Sequence, residues 1–263
     1  MMDTTTAETE STKTLKTEQN RPPFRAVVSA DLFKRAQIGV SKEHFRYYLN
    51  GVFVTPCKDG GALLLATDGH MLICIRDPRG IVEGSGIIAL NKQLLGMLSE
   101  KRDDVTSRYG AHTERVVAVQ RDGHPFDAVA IVAFSSKTFR AKGDEVDTEL
   151  RPEIFGILGK LDKTILGYQT QDAVIDGTFP DWKRVVPKNL FPDNPSGIFN
   201  PFLIERAAQA LCSSVGEGLL ITPSGSRAEP HYATSYYSKI DGFAVLMPMR
   251  APKNKLKISD YAL

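Results

Sequence analysis

The sequence predicts an α+β fold in which a unit of one strand, one helix and several further strands recurs along the chain. The recurrence is the first observation: a short apolar strand followed by a capped amphipathic helix begins near residues 25, 86 and 197. The second is that the β-rich runs after a helix are separated by turn sequences such as Asp59-Gly60-Gly61 and Asp68-Gly69. Tight turns favour antiparallel sheets, so we expect the helices to cover one face of such sheets.

The first unit shows these signals most clearly. Ser29 is a favourable N-cap for a helix over residues 30–39, which places Leu32, Phe33 and Ala36 on its buried side. The β-rich runs of this unit predict strands over residues 26–28, 45–55, 62–67 and 72–76.

The second and third units repeat the order with their own capping residues. Asn91 precedes a predicted helix over residues 92–99, and Asn200 precedes one that starts at Pro201, where a missing N–H is tolerated. The predicted strands of the second unit are residues 87–90, 115–120 and 128–134. Those of the third unit are residues 198–199, 218–222, 231–237 and 243–247.

Three stretches do not follow the repeat. Residues 1–24 are rich in Thr and charge and almost free of large apolar side chains, which predicts a disordered tail. Residues 136–165 combine basic residues, an acidic patch and a short predicted helix over 152–161. They are either an insertion between two strands or the degenerate helix of a fourth unit. Residues 251–263 form a C-terminal extension.

Composition and charge exclude several classes of protein. The 263 residues, 42% of them hydrophobic, are enough to bury a core without disulfides. A net charge of +2 excludes a surface coated with nucleic-acid-binding charge, but not a local basic face. The three cysteines lack a CxxC pair, which is typical of buried thiols in a reducing compartment, so we expect a cytoplasmic protein. No apolar run approaches the roughly 20 residues that cross a bilayer, so we expect no membrane association.

No motif indicates catalysis. The glycine pattern at residues 84–89 formally matches a dinucleotide fingerprint, but a strand is predicted where that site needs a helix. Asp68 and His70 share a tight turn without a nearby nucleophile, and the five histidines lack metal-ligand spacing. We therefore expect neither enzyme activity nor a cofactor or metal.

Several segments resemble a known family, the bacterial sliding clamp, which is the beta subunit of DNA polymerase III. The similar segments occur in the family's order and are residues 46–52, 65–72, 174–188 and 244–250. Residues 25–188 resemble the whole middle domain of the family, with 136–165 as an insertion. Residues 189–250 resemble only the second half of its C-terminal domain. The resemblance implies the DNA-clamp fold, with helices lining a central hole and sheets outside.

The resemblance also implies a site for partner peptides. In this family, DNA polymerase and other proteins insert a clamp-binding motif into an apolar groove between the middle and C-terminal domains. Met71 stands where the family usually has Arg, which implies a lost charge at the groove rim. Carried over to this chain, the groove residues are Leu49, Thr67, Gly69, His70, Met71, Leu72, Pro187, Val245, Leu246, Met247, Pro248, Met249 and Arg250.

The family's helices face the phosphates of double-stranded DNA, a contact that does not depend on base sequence. The DNA-contacting residues implied here are Lys34, Arg35, Tyr47, Tyr48, Lys92 and Arg206. Two functions stay open: a sliding-clamp-like DNA polymerase processivity factor, and a truncated clamp homologue that does not encircle DNA and regulates clamp partners as a peptide-binding decoy. A homo-oligomer is expected, because an isolated unit would expose an apolar sheet; its size and ring closure stay open.

Overall fold

The computed structural model describes residues 23–99, 113–121, 128–135, 165–170, 172–194, 197–214 and 216–250. These residues form two antiparallel sheets covered by three α-helices, none of which is long and apolar enough to span a membrane. The helices are α1 (Ala30–Gln37), α2 (Lys92–Ser99) and α3 (Pro201–Leu211). The strands are β1 (Phe24–Ser29), β2 (Val52–Pro56), β3 (Ala62–Thr67), β4 (Met71–Asp77), β5 (Ile81–Glu83), β6 (Gly86–Ile88), β7 (Thr113–Arg121), β8 (Ala128–Ser135), β9 (Ile165–Gln169), β10 (Val174–Ile175), β11 (Leu219–Pro223), β12 (His231–Ser235) and β13 (Gly242–Leu246).

Two units form a complete domain by exchanging their first strands. The first unit comprises β1, α1 and β2–β5, and the second comprises β6, α2 and β7–β10. Strand β1 pairs with β7 of the second unit, and β6 pairs with β2 of the first. The strand orders therefore match, as β5-β1-β7-β8-β9 and β10-β6-β2-β3-β4. An approximate twofold axis relates the two units.

The third unit, α3 with β11–β13, extends one of these sheets. Strand β13 pairs with β4, so a single eight-stranded sheet runs from β10 in the complete domain to β11 at its far edge. The predicted first strand of the third unit is reduced to one bridge between Ile198 and Met249. The third unit is thus joined to the first unit by a continuous sheet.

The central strands of the eight-stranded sheet are buried on both faces. Alternate residues such as Leu64 and Ile73 pack towards the helices and form an inner cluster. The residues between them, such as Leu65 and Cys74, form an outer cluster. Strand geometry requires this division, because successive side chains point to opposite faces. Burial in the outer cluster raises the pKa of the Cys74 thiol to about 12.

Local capping explains where the helices begin. Ser29, Asn91 and Asn200 each accept a backbone N–H of the first helical turn with a side-chain oxygen. All three helices start where the sequence predicts. Helix α1 ends at Gln37, two residues before the predicted end at residue 39.

One predicted strand is wrong over its first half. Residues 45–51 contain a turn and a 3₁₀ helix (Tyr47–Leu49), and β2 begins only at Val52. The Leu49 N–H donates to the Arg46 carbonyl at 2.9 Å, which closes the 3₁₀ turn. The turn directs Leu49 into the outer cluster, and this burial outweighs the β propensity of the tyrosines.

The irregular stretches lie almost wholly outside the described residues. These include residues 1–22 of the predicted tail, residues 136–164 with the predicted helix at 152–161, and the extension at 251–263. Strands β8 and β9, which flank residues 136–164, pair directly with each other. Their counterparts β3 and β4 are joined by the short turn at residues 68–70. Both alternatives for residues 136–165, an insertion or part of a fourth unit, stay predictions.

Candidate functional site

A cavity of about 230 Å³ opens on the outer face of the eight-stranded sheet, where β4 of the first unit meets β13 of the third. We call this cavity the groove. Its lining is mostly apolar and consists of Arg46, Tyr48, Leu49, Thr67, Gly69, Met71, Leu72, Phe179, Pro180, Asp181, Trp182, Val185, Val245 and Met247.

The floor of the groove is the junction of β4 and β13. Leu72 and Val245 lie opposite each other in register, and both belong to the outer cluster. The neighbouring pair, Met71 and Leu246, belongs to the inner cluster against the helices. Met247 follows the end of β13 and remains 37% exposed. Strand alternation thus leaves Leu72, Val245 and Met247 on the groove side.

The opposite wall is formed by residues 179–185, which lie over the outer face of the sheet. The ring of Phe179 stacks on that of Phe53 in β2, with centroids 4.8 Å apart and planes inclined by 4°. A 3₁₀ helix (Trp182–Arg184) then packs Trp182 against the outer cluster. Val185 follows and is 41% exposed. The wall therefore has an anchored base and an apolar upper edge that solvent reaches.

The turn between β3 and β4 forms one end of the groove and is fixed by its own side chains. Thr67 Oγ1 donates to the Met71 carbonyl at 2.7 Å and accepts from the Gly69 N–H at 3.1 Å. Asp68 Oδ1 accepts from the N–H groups of His70 and Met71, each at 2.9 Å. These hydrogen bonds preorganise the rim without any contact from a ligand.

Arg46 lies across this turn. Gly69 has a φ of +90°, and a Cβ there would lie 2.7 Å from Arg46 Nη1, so glycine makes room for the guanidinium. The guanidinium donates two hydrogen bonds of 2.8 Å to the Glu43 carboxylate, which hold the pKa of Glu43 below its usual value. Arg46 therefore brings a positioned cation to the edge of an apolar cavity.

An ion pair ties this rim to the third unit. Asp68 Oδ2 accepts from Arg206 Nη1 of α3, and the two side chains are 17% and 13% exposed. Arg206 Nε also donates to the Ile38 carbonyl, just after α1, at 3.0 Å. Burial acts to raise the pKa of Asp68, but hydrogen bonds from Arg206 and from the turn amides outweigh it, and the pKa lies below its usual value.

Seven of the thirteen predicted groove residues line the cavity: Leu49, Thr67, Gly69, Met71, Leu72, Val245 and Met247. The other six do not: His70, Pro187, Leu246, Pro248, Met249 and Arg250. Leu246 is fully buried in the inner cluster, on the opposite face of its strand. Met71 is 1% exposed in the same cluster, so the rim position expected for it is wrong; the cation at the rim is Arg46.

The predicted DNA-contacting lysines are accessible, whereas the arginines are engaged within the chain. Lys34 and Lys92 are exposed on the neighbouring helices α1 and α2. Arg35 Nη1 donates to the Ala210 and Cys212 carbonyls at 3.2 and 2.7 Å and so caps the C-terminal end of α3. Arg206 is held by the rim as described above.

The two predicted DNA-contacting tyrosines also differ in position. Tyr47 is 51% exposed and packs edge-on against Tyr48, with centroids 5.9 Å apart. Tyr48 lines the groove and packs against the outer cluster. Only Tyr47 therefore presents most of its ring to solvent.

Half of the lining lies outside the predicted set. These residues are Arg46, Tyr48, Phe179, Pro180, Asp181, Trp182 and Val185. The run at 179–185 carries a usable signal, because Phe, Trp and Val occur there without strand or helix periodicity. Such a run is typical of a loop that covers an apolar surface.

No protein-family model matches the chain. Curated relatives are the beta sliding clamps of two strains of Caulobacter vibrioides, each 26% identical over 163 residues. The match covers 60% of this chain and 32% of each relative. The chain therefore spans about a third of the length of the curated relatives it matches.

Solved sliding clamps share the fold at low sequence identity. The DnaN sliding clamp (DNA polymerase III subunit beta) of Bartonella birtlesii, bound to griselimycin, has a TM-score of 0.50 and 17% identity, covering 86% of this chain and 66% of that one. A DNA polymerase sliding clamp of Pseudomonas aeruginosa with ligand has a TM-score of 0.52 and 14% identity, covering 88% and 68%. The predicted DNA-clamp fold is confirmed.

Proposed function

We propose that this partial relative of the bacterial beta sliding clamps is a non-enzymatic, clamp-like processivity factor that docks partner peptides in its groove. The observation that carries the proposal is the apolar cavity at the β4–β13 junction, which joins residues from three distant parts of the sequence. No enzyme-like constellation lines it; the lining side chains are apolar apart from Arg46, Tyr48, Thr67, Asp181 and Trp182.

The groove suits an extended peptide with apolar anchors and an acidic group. Met247 and Val185 offer apolar surface on opposite sides, and burying an anchor side chain between them removes that surface from water. A methionine wall adapts to anchors of different shape. Glu43 accepts from Nε and Nη2 of Arg46, and the remaining Nη1 suits a carboxylate on the same peptide.

The test is a fluorescence-polarisation titration with a labelled peptide that carries two adjacent apolar residues and one Asp. We expect a dissociation constant in the micromolar range, about −8 kcal/mol. Met247→Ala combined with Val185→Ala should weaken binding about tenfold, because each truncation removes part of an anchor's contact surface.

Met249→Ala is the matched control. Met249 is 53% exposed and lies two residues further along the chain, but it does not line the groove. Its substitution should leave the affinity unchanged. Equal effects of Met247→Ala and Met249→Ala, or tight binding by the double variant with an unchanged circular dichroism spectrum, would contradict the groove assignment.

The DNA-binding part of the proposal rests on the exposed lysines of the helix layer. Lys34→Glu with Lys92→Glu should weaken retention on double-stranded DNA, whereas Lys239→Glu, at an exposed loop site, should change it less. The logarithm of affinity should fall linearly with the logarithm of salt concentration, independent of base sequence. An unaltered salt slope in the double variant would contradict a contact through these helices.

The engagement of Arg35 and Arg206 within the chain favours a second candidate, a peptide-binding regulator that does not encircle DNA, because it leaves fewer free cations on the helix layer. Both candidates require peptide binding in the groove, so DNA separates them. Peptide binding at micromolar concentration, together with no retention on DNA at low salt, would favour the regulator.

A further inference from the structure

Strand β11 at the edge of the eight-stranded sheet is the counterpart of β2. Each is the first long strand after the helix of its unit, and their sequences match in pattern: Val-Phe-Val-Thr-Pro in β2 and Leu-Leu-Ile-Thr-Pro in β11. In the complete domain, β6 of the second unit pairs with residues 52–54 of β2. Val52 and Val54 are fully buried there.

The equivalent residues of β11 lack this cover within the described part of the chain. Among the strands that the structure describes, β11 is terminal in its sheet and pairs with β12 alone. Leu220 is 49% exposed, and Leu219 and Ile221 are only partly buried. Residues 219–221 thus correspond to the segment of β2 that receives a strand from another unit.

The chain also contains the strand that would fit this edge. Residues 197–199 have the sequence Gly-Ile-Phe and correspond to Gly-Ile-Ile in β6, since each segment lies shortly before the helix of its unit, with three intervening residues in the second unit and one in the third. Ile198 bridges Met249 on one side, as Ile87 of β6 pairs with Ile175 of β10. On its other side β6 pairs with β2, whereas residues 197–199 have no strand partner on that side among the described residues. The Gly197 N–H donates to His231 Nε2 at 3.0 Å, so the backbone of Ile198 and Phe199 carries the open edge.

We propose that the third units of two copies of this chain pair about a twofold axis and form a second complete domain. Residues 197–199 of each copy pair antiparallel with residues 219–221 of the other. By equivalence with the pairing of Ile87 and Phe53, Ile198 lies opposite Leu220 of the second copy. The occupant is a second copy because one chain carries both complementary segments and its first two units already join in this way.

The hydrogen-bonding pattern of β11 agrees with this pairing. The Pro223 carbonyl accepts from the Phe191 N–H at 2.8 Å and therefore points away from β12. Because backbone groups alternate along a strand, those of Leu219 and Ile221 also point to the open edge. Leu220 then occupies a non-hydrogen-bonded position opposite the incoming strand, where side chains approach most closely.

Helix α3 has a flank suited to the same contact. In the complete domain, α1 packs beside α2. Ile204 and Ala208 lie about 200° around α3 from Arg206, which faces the first unit, and both are half-buried. Their apolar and small side chains allow the α3 helices of two copies to approach each other.

The test is the mass in solution, measured by light scattering at protein concentrations of roughly 1 to 100 µM, which span the dissociation constants of a weak to moderate dimer. We expect twice the chain mass of 29.0 kDa. Leu220→Glu should shift the protein to the single-chain mass, since it places a carboxylate against Ile198 of the other copy. Phe45→Glu also replaces an apolar side chain by a carboxylate, but at a residue that is 97% exposed and precedes Arg46 of the groove rim, so it should leave the dimer intact.

A designed disulfide tests the register itself. With Cys57 and Cys212 replaced by Ser, Ile198→Cys together with Leu220→Cys should give a covalent dimer on a non-reducing gel, because a non-hydrogen-bonded pair has the Cα separation that a disulfide needs. Ile198→Cys with Thr222→Cys, two residues out of register, should cross-link at least tenfold less. A single-chain mass at every concentration, or a dimer mass that Leu220→Glu leaves unchanged, would overturn the proposal. Neither outcome bears on peptide binding in the groove.

Discussion

The ion pair between Asp68 and Arg206 should stabilise the attachment of the third unit, and Asp68→Asn tests this directly. The asparagine keeps an oxygen for the His70 and Met71 N–H groups but loses the charge that Arg206 contacts. Removing one partner of a fully buried ion pair costs about 3–5 kcal/mol. At 17% and 13% exposure the pair retains some solvent, so we expect a loss of about 2–3 kcal/mol in the free energy of unfolding.

The assay is urea denaturation followed by tryptophan fluorescence, with Trp182 as the single reporter. Asp241→Asn provides a matched control, because Asp241 pairs with Arg76 at 3.4 Å with both side chains far more exposed, at 62% and 31%. An exposed pair contributes about 0–1 kcal/mol, so this control should change stability little. The difference between the two variants isolates the effect of burial.

The loss of stability caused by Asp68→Asn should also depend on pH. Because the folded-state pKa of Asp68 is lowered, its stabilisation is fully present above the unfolded-state pKa, which is about 3.9, and is lost as pH falls through the lower folded-state value. The gap between wild type and Asp68→Asn should therefore be constant from about pH 5 to 8 and shrink below pH 4. Equal effects of both substitutions, or a gap that stays constant as the pH falls from 5 to about 3 in folded protein, would refute the reasoning.

Two further predictions concern other side chains. Arg35→Ala should lower the free energy of unfolding by about 1–2 kcal/mol, measured by the same urea titration, because it removes the donor to the last carbonyls of α3; Lys34→Ala, on the exposed side of α1, should have little effect. Cys74 should resist a thiol reagent at pH 8 in folded protein, because burial raises its pKa to about 12, whereas the half-buried Cys57 and Cys212 should react. Absorbance of the released thiolate counts the sites, and a third reactive thiol in folded protein would contradict the prediction.

The sequence predicts the helices well because their start signals are local. Ser29, Asn91 and Asn200 bond to residues in the first turn of their own helix, so the signal lies within three positions. Residues 45–51 are predicted less well, because their conformation depends on the burial of Leu49 in a cluster formed by distant strands. Local propensity does not contain that information.

The groove residues likewise divide into those that local sequence patterns predict and those that depend on contacts with distant parts of the chain. The resemblance, combined with strand alternation, correctly predicts Leu72, Val245 and Met247 as groove residues. The prediction that every residue from 245 to 250 lines the groove ignores that alternation, because successive side chains of a strand point to opposite faces. The aperiodic run of Phe, Trp and Val at residues 179–185 is typical of a covering loop, but no local pattern specifies which part of the sheet that loop covers. Likewise, a basic helix position does not reveal whether its side chain faces solvent, like Lys34, or caps a neighbouring helix, like Arg35.

The joining of β4 to β13 also determines when the groove comes into existence during synthesis. Arg76 of β4 and Asp241, beside β13, are 165 positions apart, so the ribosome needs roughly ten to thirty seconds to supply the second strand after the first. Until β13 emerges, the groove lacks both Val245 and Met247. If the groove binds peptides as proposed, a nascent chain that has folded only its first two units lacks the complete site, and peptide binding begins only after β13 has been added.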